Sequence, residues 1–516
     1  MATSRAIKKP KRDDTQLSNW QPMPERAPSV EVSDRPTVAR IVAMIGLFLT
    51  VLGTLAMFAP MWQRTAAISP DWGFRFATIG VCLILYHTFV DRDLQFRRLY
   101  GFLGLALMIG GVVLRLMAFR TGFAAWFPLY GFPALTIGLI FAVAVLRNET
   151  DLSFRNLLLN CLGIEGGLMI AFSALMGMRD ANFLPGEGTV LLLLGLAYVG
   201  AYIGQQEAGS DRAYYAALAI GGIGLLGLLA GLFWSFWQSS FLVPRGLILI
   251  GMSIVYLAVS IGICCDWPVV VIARRDLAGY FYSPIGYLVV GGLILVSGFM
   301  FLYFVENLVN PLAGPVFEPI IDTYIHWLLA FIVQMFILPV LTMRLLSEER
   351  RTGTLEVLMT APVNETTVVL GKFLASWTFY MLTWLPWWLN LVSLRYIGGE
   401  TFDYLPAISF MAAVAVIGAG LLSMGLFFSS ITSNQIIAAV LTFVGMMMHL
   451  VFWLLKFFWT SSGDAIQEAL RAINFIDLWQ SSMAGIVSPR YLMFHASVAI
   501  FFLFATVKVL ESRKWK

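Results

Sequence analysis

Thr342-Met-Arg-Leu-Leu-Ser-Glu-Glu-Arg-Arg-Thr-Gly-Thr-Leu-Glu-Val-Leu-Met-Thr-Ala-Pro-Val363, followed by Val369-Leu-Gly-Lys372, is a charged and polar island. It lies between two apolar runs, at about 323–343 and 373–395, each long enough to cross a bilayer as a helix of roughly 20 residues. A water-seeking segment held between runs of that length decides how the whole chain is read. The apolar runs are spans, and the polar stretches between them are what reaches water.

Composition agrees. The 516 residues are 59% hydrophobic and 12% charged, with a mean hydropathy of +0.80, whereas soluble domains carry about a quarter charged residues. The net charge of +4 is small and its basic residues are spread over short loops, so no nucleic-acid surface is expected. Cys82, Cys161, Cys264 and Cys265 fall in or beside apolar runs without metal-ligand spacing, and no disulfide framework is implied. No metal site and no catalytic residue is expected.

Outward from the island, spanning runs recur at about 41–62, 73–90, 99–119, 126–146, 157–177, 188–204, 213–236 and 244–265. Six more follow at about 286–305, 323–343, 373–395, 405–429, 436–459 and 491–511. The expected fold is all-α and polytopic, with about 14 transmembrane helices in groups of eight and six, because a helix satisfies its backbone polar groups within its own segment. The expected domains are a disordered cytoplasmic tail (1–40), an eight-helix membrane domain of unknown role (41–265) and a six-helix domain (266–516). Arg92, Arg97, Arg98, Arg147, Arg155, Arg212, Arg274, Arg275, Arg344, Arg350, Arg351 and Lys372 cluster in alternate loops, which places those loops and both termini in the cytoplasm.

Two helices are expected not to span. Arg274, Arg275 and Tyr280 belong to a basic and aromatic stretch before Ser283-Pro284, as an interfacial helix requires. An extracytoplasmic amphipathic helix is expected before the last span, with Asp464 as its cap and Ile466, Leu470, Ile473 and either Ile476 or Asp477 at helical spacing.

Within the island, Gly353 breaks the helix descending from Leu346, and Ala361-Pro362 ends the next. Thr354 is positioned to cap a short helix in which Leu355, Leu358 and Met359 share one face. Glu348, Glu349, Arg350, Arg351 and Glu356 form its charged rim. A rigid peg of this kind suits a groove on a soluble partner; an ordinary solvated loop is the alternative.

The island resembles the coupling region of ABC-2 type permeases, in which an E-E-R/K-x-x-G-T-L/I-E-x-L-L-x-x-P-V core precedes V-L-G-K. Met359 replaces the usual leucine at little change in volume. Arg274-Arg-Asp-Leu-Ala-Gly-Tyr-Phe-Tyr-Ser-Pro-Ile-Gly-Tyr287, Ile431-Thr-Ser-Asn-Gln-Ile-Ile-Ala-Ala439 and Leu510-Glu-Ser-Arg-Lys-Trp515 resemble further motifs of the gliding-motility-associated subgroup. The resemblance covers about residues 268–516. It implies a permease subunit of an ATP-driven exporter in a bacterial inner membrane, docked on a separate ATPase that carries ATP and Mg. It also implies a second permease, as a homodimer or a related chain, contact with membrane lipids, and an auxiliary membrane partner with an outward-facing domain. The residues it assigns to ATPase coupling are Glu348, Glu349, Arg350, Gly353, Thr354, Leu355, Glu356, Leu358 and Pro362. No G-x-x-x-x-G-K-[ST] loop occurs, so the chain has no phosphate cradle of its own and no cofactor is expected on it.

Inside the spans, Glu165 is a carboxylate at an expensive depth, either functional or hydrogen-bonded to a neighbouring helix. Arg115 is expected to snorkel outward. His326, His449 and His495 lack ligand spacing and are expected to pack. Trp384-Leu-Pro-Trp-Trp388 suggests an outer aromatic belt, or a kink lining a substrate route. An ion-driven secondary transporter would need more intramembrane carboxylates than Glu165, ideally in repeated halves. A membrane enzyme would need acid, base or metal residues clustered at one depth.

Overall fold

The computed structural model describes residues 36–512 apart from 59–69, 91–93, 119–126, 148, 181, 207–209, 311–318, 326, 356–362, 399–401, 404, 459–469 and 471. The expected tail lies outside the described residues up to position 35, and helix starts at Pro36. The chain forms two compact units, Met1–Tyr100 and Gly101–Lys516.

In the first unit, α1 (Pro36–Phe58) and α2 (Pro70–Val90) pack as a close hairpin. A Cβ added at Gly53 would overlap the Ala77 backbone, so the missing side chain permits the approach. His87 Nδ1 and Tyr100 Oη meet at 2.8 Å, tying α2 to the beginning of α3 (Leu94–Met117).

The second unit continues through α4 (Phe132–Leu146), α5 (Leu152–Arg179), α6 (Thr189–Gly204), α7 (Asp211–Trp237) and α8 (Leu247–Cys264). Tyrosine hydroxyls join neighbouring helices, with Tyr198 donating to Leu135 O and Tyr256 to Leu192 O, both at 2.8 Å. Next come α9 (Pro268–Tyr282), α10 (Pro284–Val309), the short α11 (Ile320–Tyr324) and α12 (Trp327–Thr342). They are followed by α13 (Ser347–Thr352), α14 (Glu365–Thr383), α15 (Leu385–Gly398), α16 (Leu405–Ile431), α17 (Gln435–Phe458), α18 (Phe475–Met483) and α19 (Pro489–Glu511). The described residues contain no strand.

Among the described residues, thirteen helices are long and apolar enough to cross a membrane. The run at 73–90 folds as the 21-residue α2, which is not one of the thirteen. The 15-residue α9 is not among the thirteen, and Ser283 then caps α10 by accepting from Ile285 N.

Two expectations change. Arg115 does not snorkel: its guanidinium pairs with buried Glu187 and lies over the Phe172 ring, 4.7 Å from the centroid. Ion pairing and an aromatic face replace water around it. Trp384 and Trp387 are not an outer belt, because both are buried within the core with Phe410, Trp479 and Tyr324. Pro386 does mark a break, between α14 and α15. Helix α18 follows the stretch in which the Asp464-capped helix is expected and is itself capped by Asn474, whose side chain accepts from Ile476 N. Asp464 and Ile466 lie outside the described residues. Phe475, Ile476, Leu478, Trp479 and Met483 of α18 are buried, so its apolar face is covered by the chain itself.

Candidate functional site

Polar and charged side chains of the second unit gather at one end of the C-terminal helices, where α9, α13, α14 and the ends of α16 and α19 converge. The apolar floor comes first. Leu345, Leu346, Leu355, Val369, Leu426, Val507 and Leu510 form one buried cluster, with Tyr280, Phe373 and Leu503 against it. Five segments distant in sequence therefore meet beneath the charged island.

The turn between α12 and α13 is pinned from below. Ser429 Oγ accepts from Leu346 N (3.1 Å) and Ser347 N (3.0 Å), which satisfies backbone donors exposed at the start of a helix. Ser347 Oγ donates to Met343 O. Arg350 Nη1 donates to Ser430 O at 3.0 Å, so the end of α16 is held on both sides of the turn.

Glu348 and Glu349 both turn back toward the chain's own cations. Arg344 donates from Nε to Glu348 Oε2 (2.8 Å) and from Nη2 to Oε1 (3.1 Å), a bidentate pair. Lys372 Nζ donates to Glu349 Oε1 (2.7 Å) and to Asp276 Oδ2 (3.0 Å). Its side chain is only 3% exposed. Arg275 closes the cluster, 2.9 Å from Asp276 Oδ1 and 3.6 Å from Glu349 Oε1. Two acids and two bases are thus brought together from α9, α13 and α14, and a buried ammonium is tolerable only with such partners.

Helix α9 is fastened along its length. Arg274 donates to Ile263 O at 3.1 Å, and Tyr280 Oη to Leu341 O at 2.9 Å. The Tyr280 ring stacks on Phe379, with centroids 4.6 Å apart. Burial, reinforced by the Asp276 carboxylate, pushes the Tyr280 phenol above its usual pKa and keeps the donor protonated. Where α9 crosses α14, Gly371 allows the contact: a Cβ there would sit 2.7 Å from Ile272 Cγ2.

The exposed part is what remains. Helix α13 ends at Gly353, whose φ of 71° is the left-handed conformation that favours glycine. Arg351, Thr352, Gly353 and Thr354 face outward. The Thr352 and Thr354 hydroxyls stand 2.9 Å apart, and Thr352 Oγ1 also donates to Glu348 O, bracing the turn. Helical backbone resumes at Thr354 and Leu355. Leu355 is 7% exposed and packs into the cluster beneath, so it anchors the segment and is not part of an outward apolar face. Glu356, Leu358 and Pro362 lie outside the described residues.

Arg275 and Glu349 are legible as site candidates in the sequence, whereas the roles of Asp276, Arg344 and Ser429 and the pairing of Lys372 are not. A lysine entering an apolar helix directly after Val-Leu-Gly was the available signal, since it demands a partner.

Glu165 is not part of this cluster. It is buried in α5, next to Gly166 where α5 packs on α6, and its Oε2 has no hydrogen-bond partner among the described residues. His449 packs on Phe475 with Nδ1 3.1 Å from Ile473 O, and His495 is buried in α19. His326 lies outside the described residues.

Residues 143–485 match the family model described as ABC-2 family transporter protein. The matched stretch contains Asp276, Glu349, Lys372 and Ser429; it begins within α4 and ends before α19. No curated protein and no solved structure matches the chain.

Proposed function

We propose, for a chain that belongs to the ABC-2 family of transporter proteins and is therefore a multi-pass permease component of an ABC transporter, that Arg351–Thr354 is the docking turn for a separate ATPase subunit. The observation that carries this reading is the division of the island into an inner and an outer part. Glu348, Glu349 and Leu355 bind inward, while Arg351, Thr352 and Thr354 are left facing outward on a turn tied to α9, α14 and α16. A protruding turn with a rigid base can receive a push from a partner and pass it to several helices at once. A solvated loop without these ties could not.

In this reading Glu356, Leu358 and Pro362, which lie outside the described residues, also belong to the coupling segment. ATP and Mg are bound by the partner subunit, and this chain is not itself the hydrolase. The α13 end of the helices, with both termini, faces the cytoplasm of a bacterial inner membrane, and α9 lies along its surface. Two permease chains pair over two ATPase subunits and export substrate, as in the gliding-motility-associated subgroup, with an auxiliary outward-facing membrane protein as a further partner. Residues 41–265 form an accessory eight-helix domain. The family match begins at 143, yet every residue of the docking apparatus lies after 266.

Copurification tests the assignment. The tagged wild-type chain, extracted in mild detergent from its own cells, should bring down a P-loop ATPase. Arg351→Glu and Thr354→Arg should reduce the captured ATPase at least tenfold while leaving the yield and melting temperature of the permease unchanged. Undiminished capture in both variants would remove the docking turn from Arg351–Thr354.

A further inference from the structure

We infer that Lys372 is a positioning residue that locks the docking turn to the non-spanning helix, so that α13 and α9 move as one body when the partner pushes. This rests on the coupling reading above and adds to it the element that carries the motion away from the turn.

The geometry singles out Lys372 among the basic residues of the cluster. Arg275 is 55% exposed and Arg344 is 39% exposed, so water can stand in for either of their partners. Lys372 is 3% exposed, and its ammonium reaches one carboxylate on α13 and another on α9. Remove that ammonium and Asp276 and Glu349 face each other with only the largely hydrated Arg275 between them. Like charges at that range repel, and the low dielectric around a buried site strengthens the effect. The join would then loosen at its centre.

The remaining ties define what would survive. Ser429 and Arg350 hold α13 to α16, and Leu355 packs below, all without Lys372. Tyr280 and the Gly371 crossing hold α9 against α12 and α14. Loss of Lys372 therefore leaves both helices folded but lets them shift against each other. The outward face of Arg351–Thr354 is untouched, so docking and transmission come apart in this variant.

The test places spin labels on the full-length chain at Gly279→Cys of α9 and Thr352→Cys of α13, both exposed positions, after Cys82, Cys161, Cys264 and Cys265 are replaced by serine. The distance distribution between the labels should be narrow in the otherwise wild-type chain, at least twice as wide in Lys372→Met, and narrow again in Lys372→Arg. No ATPase is needed for this readout, so its outcome does not depend on the docking assignment. In parallel, Lys372→Met should capture the ATPase at wild-type yield, unlike Arg351→Glu. An unchanged distribution in Lys372→Met would overturn the proposal. So would a widened one that Lys372→Arg fails to narrow, because the lysine would then matter for its packing and not for its charge. If Lys372→Met fails to fold, the milder Asp276→Asn, which keeps the Glu349 contact, should widen the same distribution, and its failure to do so would equally overturn the proposal.

Discussion

Lys372 Nζ stands 2.7 Å from Glu349 Oε1, joining the start of one membrane-length helix to the charged island 23 residues before it. Glu349 sits beside Glu348 in sequence, yet the two carboxylates serve different cations in different surroundings. Glu348 shares a half-exposed pair with Arg344 on its own segment, whereas Glu349 meets a buried ammonium from another helix. Adjacent and chemically identical residues thus carry unequal weight.

That inequality is measurable. Glu348→Gln removes a partly hydrated pair and should change stability by about 1 kcal/mol or less. Glu349→Gln weakens one of two carboxylate contacts to a buried charge and should cost more, toward the roughly 3 kcal/mol typical of breaking a buried pair. Thermal melts of the purified chain in one detergent would rank them. Equal melting temperatures would mean that Lys372 is not dependent on Glu349.

Leu355 offers a second contrast. Packed into the cluster with Leu346, Val369 and Leu510, it should lose about 2 to 3 kcal/mol on replacement by alanine, as buried leucines do. Thr354→Ala, one residue earlier and exposed, should stay within about 0.5 kcal/mol. If Leu355→Ala left stability untouched and abolished ATPase capture, the residue would belong to the docking face after all.

The crossing of α9 and α14 depends on one missing side chain. Gly371→Val would drive a branched side chain into Ile272, 2.7 Å from the new Cβ, and should cost about 1 to 3 kcal/mol by overpacking. Gly279→Val, on the open side of α9, has nothing within 4 Å to strike. Limited proteolysis should cut near Arg274 and Arg275 faster in the first variant only. Identical digestion of both would show that α9 is not seated through Gly371.

Much of this was readable before the structure, and the reasons are local. Span lengths, the left-handed stop at Gly353 and the Ser283-Pro284 helix start depend on residues within a few positions of one another. What failed depends on partners far away in the chain. Arg115 is expected to snorkel because it lies near the outer end of its run; Glu187, 72 positions later, supplies a partner within the fold. The tryptophans of 384–388 suit a lipid interface by type, but Phe410 and Trp479 enclose them in a core. The charged rim of Glu348, Glu349, Arg350, Arg351 and Glu356 and the apolar face of Leu355, Leu358 and Met359 are both expected to point outward. Arg344, Lys372 and the cluster around Leu346 turn Glu348, Glu349 and Leu355 inward.

Orientation gives a further expectation. Single cysteines at Thr150, Thr352 and Ser512 should be shielded from an impermeant thiol reagent in intact cells, while those at Asp180 and Asp403 should react, in a chain lacking its native cysteines. All five positions are exposed or at the ends of helices. Labelling at Thr352 from outside would place the island on the wrong side for an ATPase.

The most direct measurement is site-specific photocrosslinking in native membranes. A photoreactive amino acid at Thr354 should form an adduct with a nucleotide-binding P-loop ATPase, identified by mass spectrometry of the excised band. The same group at Asp403 should form none. An adduct at Thr354 with that ATPase is the expected result; efficient crosslinking at Thr354 to lipid or to other proteins alone, with the ATPase present in the same membranes, would contradict docking at this turn.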